Sequence, residues 1–155
     1  MEGLLKKLNI KEQASIAILN APAALLPQLQ QAFDPQIKVT THARSFESVV
    51  LLFCTRLKEV ETLATATAPL LEPDALFWIA YPKGSSQKYK CDFNRDNGWA
   101  TLAKLGYEPV RQIAIDEDWS ALRFRNPDFI KTMTRGFAAT EKGIAKVKAQ
   151  KKTKE

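Results

Sequence analysis

Ala75-Leu76-Phe77-Trp78-Ile79-Ala80-Tyr81-Pro82-Lys83-Gly84-Ser85-Ser86 is a continuous apolar run that stops abruptly at a polar loop containing Gly and Ser. Residues 75–80 hold no polar side chain, so they cannot alternate between an inner and an outer face. Such a run reads as a strand buried on both sides, in the middle of a parallel sheet with helices above and below. In sheets of that kind ligands sit beyond the carboxyl ends of the strands. Tyr81, Lys83, Ser85 and Ser86 therefore head the list of candidate binding residues.

Upstream, Leu4, Leu5 and Leu8 give a short helix with an apolar edge expected to lie against the body. Ser15–Leu19 reads as a strand ending at Asn20-Ala21-Pro22, with Pro22 placed to open a helix through about Phe33. Pro27 should shorten or kink the start of that helix. Ile37–Thr41 alternates as a second strand, and His42 after it reads as a surface residue. Phe46–Cys54, with the apolar run Val49-Val50-Leu51-Leu52-Phe53 at its centre, is another strand, followed by Thr55 and Arg56 at its carboxyl end. Leu57, Val60, Leu63, Ala64 and Ala68 recur at helical spacing, and Glu72-Pro73-Asp74 reads as the turn into the organising strand.

Downstream, a polar passage from Gln87 to Asn97 interleaves Lys88, Lys90 and Arg95 with Tyr89 and Phe93. Trp99, Leu102, Ala103 and Leu105 then mark a helix that Gly106 closes. Val110–Ile115, the acidic turn Asp116-Glu117-Asp118 and Trp119–Arg125 form an antiparallel hairpin. Within its second strand, Trp119, Ala121, Arg123 and Arg125 share one face, and Ser120, Leu122 and Phe124 take the other. The alternation of strands and helices gives an α/β, three-layer architecture with a mostly parallel sheet and a C-terminal antiparallel hairpin.

At 155 residues, 45% of them hydrophobic and 26% charged, the chain has the size and composition of one globular domain. No apolar run reaches the roughly 18 residues of a membrane span. The first residues lead into Asn9, Lys11, Glu12 and Gln13 in place of a signal-peptide apolar segment, so a cytoplasmic protein is expected. Cys54 and Cys91 lack the spacing of a zinc or redox pair, and with one His they do not complete a metal site. The charge of +6 is unevenly placed: residues 131–155 carry eight Lys/Arg against two acids, leaving residues 1–130 neutral. This divides the chain into a single α/β domain, 1–130, and a basic tail, 131–155, with too few large apolar residues to fold alone.

From Phe46 onward, the apolar strand, the helix, the turn Leu70-Leu71-Glu72-Pro73-Asp74-Ala75-Leu76, the helix ending in Leu105-Gly106-Tyr107 and the hairpin resemble the second half of an S-adenosylmethionine-dependent methyltransferase. The resemblance implies a Rossmann-like sheet. It also implies a Gly-x-Gly loop after the first strand, where this chain has Leu19-Asn20-Ala21-Pro22. Ala21 and Pro22 add Cβ atoms and remove an N–H donor from a loop that should open its amides to a cofactor. Thr40, Thr41 and His42 stand where an acidic residue would hold the ribose hydroxyls. A second resemblance covers about Leu4 to Arg125. Leu8-Asn9-Ile10-Lys11, Leu19-Asn20-Ala21-Pro22, Trp78-Ile79-Ala80-Tyr81-Pro82-Lys83 with Ser85-Ser86, and Asp116 with Trp119-Ser120-Ala121-Leu122-Arg123 are similar to an uncharacterised family of small bacterial domains, which implies no particular activity.

These readings predict a degenerate methyltransferase-like domain that binds without catalysis and needs no cofactor or metal. Its ligand is a small anion or a protein partner at the strand ends, held by Asn20, Arg56, Tyr81, Lys83, Ser85, Ser86, Trp119 and Arg123. Lys83 supplies a point charge, the two serines donors, and Gly84 a loop of exposed amides. An active methyltransferase is the alternative. A further one is weak, nonspecific nucleic-acid contact through the basic tail, where cations would displace condensed counterions.

Overall fold

The computed structural model describes residues 3–33, 36–93 and 98–130. The basic tail assigned to 131–155 lies outside them, as does Arg95 of the polar passage. Six strands form one mixed sheet: β1 (Ser15–Leu19), β2 (Lys38–Thr40), β3 (Glu47–Phe53), β4 (Leu71–Pro82), β5 (Glu108–Ala114) and β6 (Trp119–Arg125). Their order across the sheet is β2-β1-β3-β4-β6-β5. β2, β1, β3 and β4 pair in parallel, and β6 is antiparallel to both of its neighbours. Five strands therefore point one way and β6 alone runs back. The expected Rossmann-like, mostly parallel sheet with its hairpin is the observed fold.

β4 owes its central place to its apolar run. Every residue from Ala75 to Pro82 is buried, and Trp78, Phe77 and Ile79 have no exposed surface. Side chains alternate into two cores. On one face Trp78 and Ala80 meet Leu4 of α1 (Leu4–Lys7), Leu8 at its C-cap, and Leu29 and Phe33 of α2 (Leu26–Phe33). There the Trp78 indole N–H donates to the Leu8 carbonyl at 3.2 Å. On the other face Phe77, Ile79 and Tyr81 meet Val60 and Ala64 of a helical segment over 57–70 and Leu102 of a short helix, Ala100–Lys104.

Proline and glycine set the element ends. α2 starts at Leu26 and not at Pro22, whose carbonyl instead accepts the Leu25 and Leu26 amides; Pro27 then falls in the first helical turn, where a missing N–H leaves no partner unmet. The 57–70 segment is α-helical at Leu57–Glu59, π-helical over Val60–Ala64 and α-helical at Thr65–Thr67 before closing as a 3-10 turn, Ala68–Leu70, around Pro69. Gly106 has φ 91°, and the bonds Tyr107 N–H to Leu102 O and Gly106 N–H to Ala103 O form a Schellman cap. One expectation changes. Glu72-Pro73-Asp74 is not a turn but the irregular start of β4, with Leu71 paired to Glu47 and the register broken before Val49–Leu76. Asp74 takes the left-handed conformation there, at φ 55°, and Arg125 clamps its carboxylate.

Candidate functional site

The strand order reverses between β1 and β3, so the switch-point crevice lies where β1 ends at Leu19 and β3 at Phe53. Asn20 follows β1 in the left-handed conformation, φ 59°, which asparagine tolerates better than most residues. Its side-chain amide donates to the Phe53 carbonyl at 3.0 Å and to Glu59 Oε2 at 2.7 Å. The other carboxylate oxygen, Glu59 Oε1, accepts from Thr55 N–H at 2.9 Å, Thr55 Oγ1 at 3.0 Å and Arg56 N–H at 3.2 Å. Glu59 is the third residue of its helix and reaches back to the amide of the N-cap residue Arg56 and to that of Thr55 before it, as acids at that position do. Burial works against its charge, but the hydrogen bonds from Thr55, Asn20 and Arg56 prevail and hold the carboxyl below its ordinary value. The mouth of the switch point is thus bridged by the chain's own side chains.

A second hollow opens beyond the carboxyl ends of β4 and β5. Its volume is about 1160 Å³, and its walls include Tyr81, Pro82, Lys83, Gly84, Ser86, the loop Tyr89–Phe93, Gln112–Ala114 and Ser120. Aromatic packing shapes one wall: Phe93 lies 5.2 Å from Trp99 and Tyr81 5.6 Å from Trp99, ring centre to ring centre. Gly98, at φ 87°, comes so close to Phe93 that an added Cβ would stand 2.8 Å from the Phe93 Cβ. The loop is tied to the start of the 57–70 helix by Leu57 N–H to Asp92 Oδ1 at 2.6 Å and Asp92 N–H to the Thr55 carbonyl at 3.3 Å. Lys83 and Lys90 bring two ammonium groups to the walls, and among the described residues neither has an ion pair or a side-chain hydrogen bond.

The sequence-derived candidates separate accordingly. Tyr81, Lys83 and Ser86 line the cavity. Ser86 is already engaged, its hydroxyl donating to Asp118 Oδ1 at 2.9 Å and accepting from the Tyr89 amide at 3.1 Å. Ser85 is exposed in the turn that the Ser86 N–H to Lys83 carbonyl bond closes, and it does not line the hollow. Asn20 and Arg56 instead both bond Glu59 at the switch point, Asn20 through its side-chain amide and Arg56 through its backbone N–H. Trp119 is only 1% exposed and packs between Phe53 and Tyr89, each ring centre 4.9 Å away. Arg123 stands across from Trp78, on the other face of the sheet from Tyr81 and partway toward the amino end of β4. At Gly84 φ lies outside the left-handed region and an added Cβ would meet open space, so neither backbone conformation nor crowding requires glycine there.

Two features escaped the sequence reading. Glu59 could have been found from its place three residues after Arg56 at a helix start. Gln112 and Ser120 join the cavity only through the hairpin register, for which no sequence signal exists. Neither cysteine is disulfide-bonded. Burial above all pushes the Cys54 thiol far up, with Glu59 and Cys91 adding to it. Burial likewise raises the thiol of Cys91 in the cavity wall, which keeps it out of its nucleophilic form. Among the described residues no three His, Cys, Asp or Glu side chains cluster as metal ligands, and no helix is long and apolar enough to cross a membrane.

No protein-family model and no curated protein matches the chain. Solved structures do. An S-adenosylmethionine-dependent methyltransferase from Aquifex aeolicus aligns with a TM-score of 0.52 at 14% identity, covering 79% of this chain and 87% of its own. A protein assigned as a type 11 methyltransferase from Sulfolobus solfataricus aligns with a TM-score of 0.50 at 8% identity, covering 86% and 93%. The likeness at these identities is one of fold: this chain has a methyltransferase-like α/β architecture.

Proposed function

We propose that this protein is a non-catalytic binding domain that takes a small anionic ligand in the cavity beyond β4 and β5. The observation that carries the reading is the pair Lys83 and Lys90, two cations without partners among the described residues on the walls of an aromatic-lined hollow. Aromatic surface with a few charged groups is the usual make-up of a small-molecule site. The cavity walls offer charge and ring faces, while the Cys91 thiol stays protonated. A melting-temperature screen against sugar phosphates, nucleotides and dicarboxylates tests this, because a ligand of the folded state stabilises it by mass action. A stabilising anion should lose its effect in the double variant Lys83→Ala/Lys90→Ala. A panel in which no anion stabilises the protein, or in which the double variant responds as the parent does, would refute the assignment.

The fold likeness favours one other reading, a methyltransferase using S-adenosylmethionine. Against it stands the Asn20–Glu59 bridge across the switch point. Saturable micromolar binding of S-adenosylmethionine by calorimetry would decide for the enzyme.

A further inference from the structure

A second cationic cluster lies on the opposite face of the sheet from the Tyr81 side of the cavity. Arg123 and Arg125 alternate onto the face of β6 that carries Trp119 and Ala121, and the hairpin register sets Arg111 directly across from Arg123. Opposed side chains in an antiparallel ladder start about 4.5–5.5 Å apart at Cβ, where like charges repel. One carboxylate relieves part of this: Asp74 accepts from Arg125 Nε and from its terminal nitrogen, both at 2.7 Å, so both of its oxygens are engaged. Glu108, across from Arg125, is fully buried with contacts of its own. Arg123 has no ion pair among the described residues. It is half-buried, and among the described residues its Nε is shielded from solvent without a hydrogen-bond partner. Arg111 beside it is exposed, and among the described residues it too has no ion pair.

A half-buried guanidinium facing another guanidinium is costly unless a negative group completes it. We propose that Arg111 and Arg123, with Arg125 fixed by Asp74 at their side, form a binding site for a phosphate-type oxyanion, distinct from the β4 cavity. Planar guanidinium forks match the paired oxygens of such a group. Burial is the main influence loosening the Arg123 proton; Arg125 and Arg111 add repulsion, Asp74 opposes them, and an anion would reverse the balance. Arg123 lies away from the cavity, while Arg111 stands two residues before Ile113 of the cavity wall. Trp119 pairs with Pro82 at the cavity end of β4 and Arg123 with Trp78, four positions on, or roughly 13 Å along the strand.

The test is an NMR titration of the Arg123 Nε–H resonance in the full chain. Inorganic phosphate and glycerol phosphate are added in separate arms, each against sodium chloride at matched ionic strength. A saturable shift with either phosphate and none with chloride is expected. A stronger response to glycerol phosphate identifies a phosphomonoester as the ligand, and a stronger response to inorganic phosphate the free ion. Arg111→Ala, an exposed substitution that leaves the core untouched, should weaken binding about tenfold or more, the scale of one lost charge-assisted hydrogen bond. Lys83→Ala should leave this titration unchanged. No shift in either arm, an equal shift with chloride, or an Arg111→Ala titration indistinguishable from the parent would each overturn the proposal.

Discussion

The carboxyl edge of this sheet is finished in two different ways. Between β1 and β3, a left-handed asparagine and a helix-start glutamate join in a network in which Asn20 bridges Phe53 and Glu59, and Glu59 collects Thr55 and Arg56. Beyond β4 and β5 the same sheet ends in a hollow of about 1160 Å³ whose lysines have no partner among the described residues. The difference teaches that a fold's customary crevice is only a location. Whether it receives a ligand depends on whether the local side chains have already met one another's polar needs.

The largest effect is expected where the two regions share a core. Trp78 lies in the middle of β4 between Leu51 and Arg123, fully buried with its indole bonded to Leu8, so Trp78→Ala should cost about 3–5 kcal/mol by chemical denaturation and abolish both regions with the fold. Glu59→Ala removes the acceptor for four donors of the closed region and should cost about 1–3 kcal/mol, with ligand binding in the cavity preserved in the folded fraction. Because the folded state holds the Glu59 carboxyl below its ordinary 4.5, its stabilisation is full above that pH. The contribution then drains away as pH falls through the lowered value. Stability measured from pH 6 downward should therefore decline less steeply in Glu59→Gln than in the parent. Gly98→Ala tests the open region, since φ 87° and the 2.8 Å approach to Phe93 both oppose a Cβ. It should cost about 1–2 kcal/mol and weaken cavity binding, leaving the Asn20 network intact. Lys83→Ala should change stability by no more than about 0.5 kcal/mol while weakening any bound anion.

Most of the fold was legible because burial on both faces leaves a plain mark. The apolar runs at 49–53 and 75–80 are the central strands, and β6 has the predicted bounds Trp119–Arg125 and the predicted alternation. The irregular start of β4 was not legible, since Glu72-Pro73-Asp74 has the composition of a turn and only pairing with Glu47 draws Leu71 into the sheet. The candidate site was half legible. Strand ends located Tyr81, Lys83 and Ser86, but not the depth to which Trp119 is packed or the distance of Arg123 from the cavity. Both depend on how far an antiparallel strand slides past its partner, and periodicity gives the face a residue occupies without its position along the sheet.

The most direct test of the central claim is a backbone amide NMR titration with the stabilising anion from the thermal screen and, separately, with S-adenosylmethionine. The anion's shifts should concentrate at residues 83–93 and 112–114, Lys83→Ala should weaken them, and S-adenosylmethionine should move nothing. Saturable shifts from S-adenosylmethionine at residues 19–20 and 53–59, with the cavity residues still, would contradict the central claim.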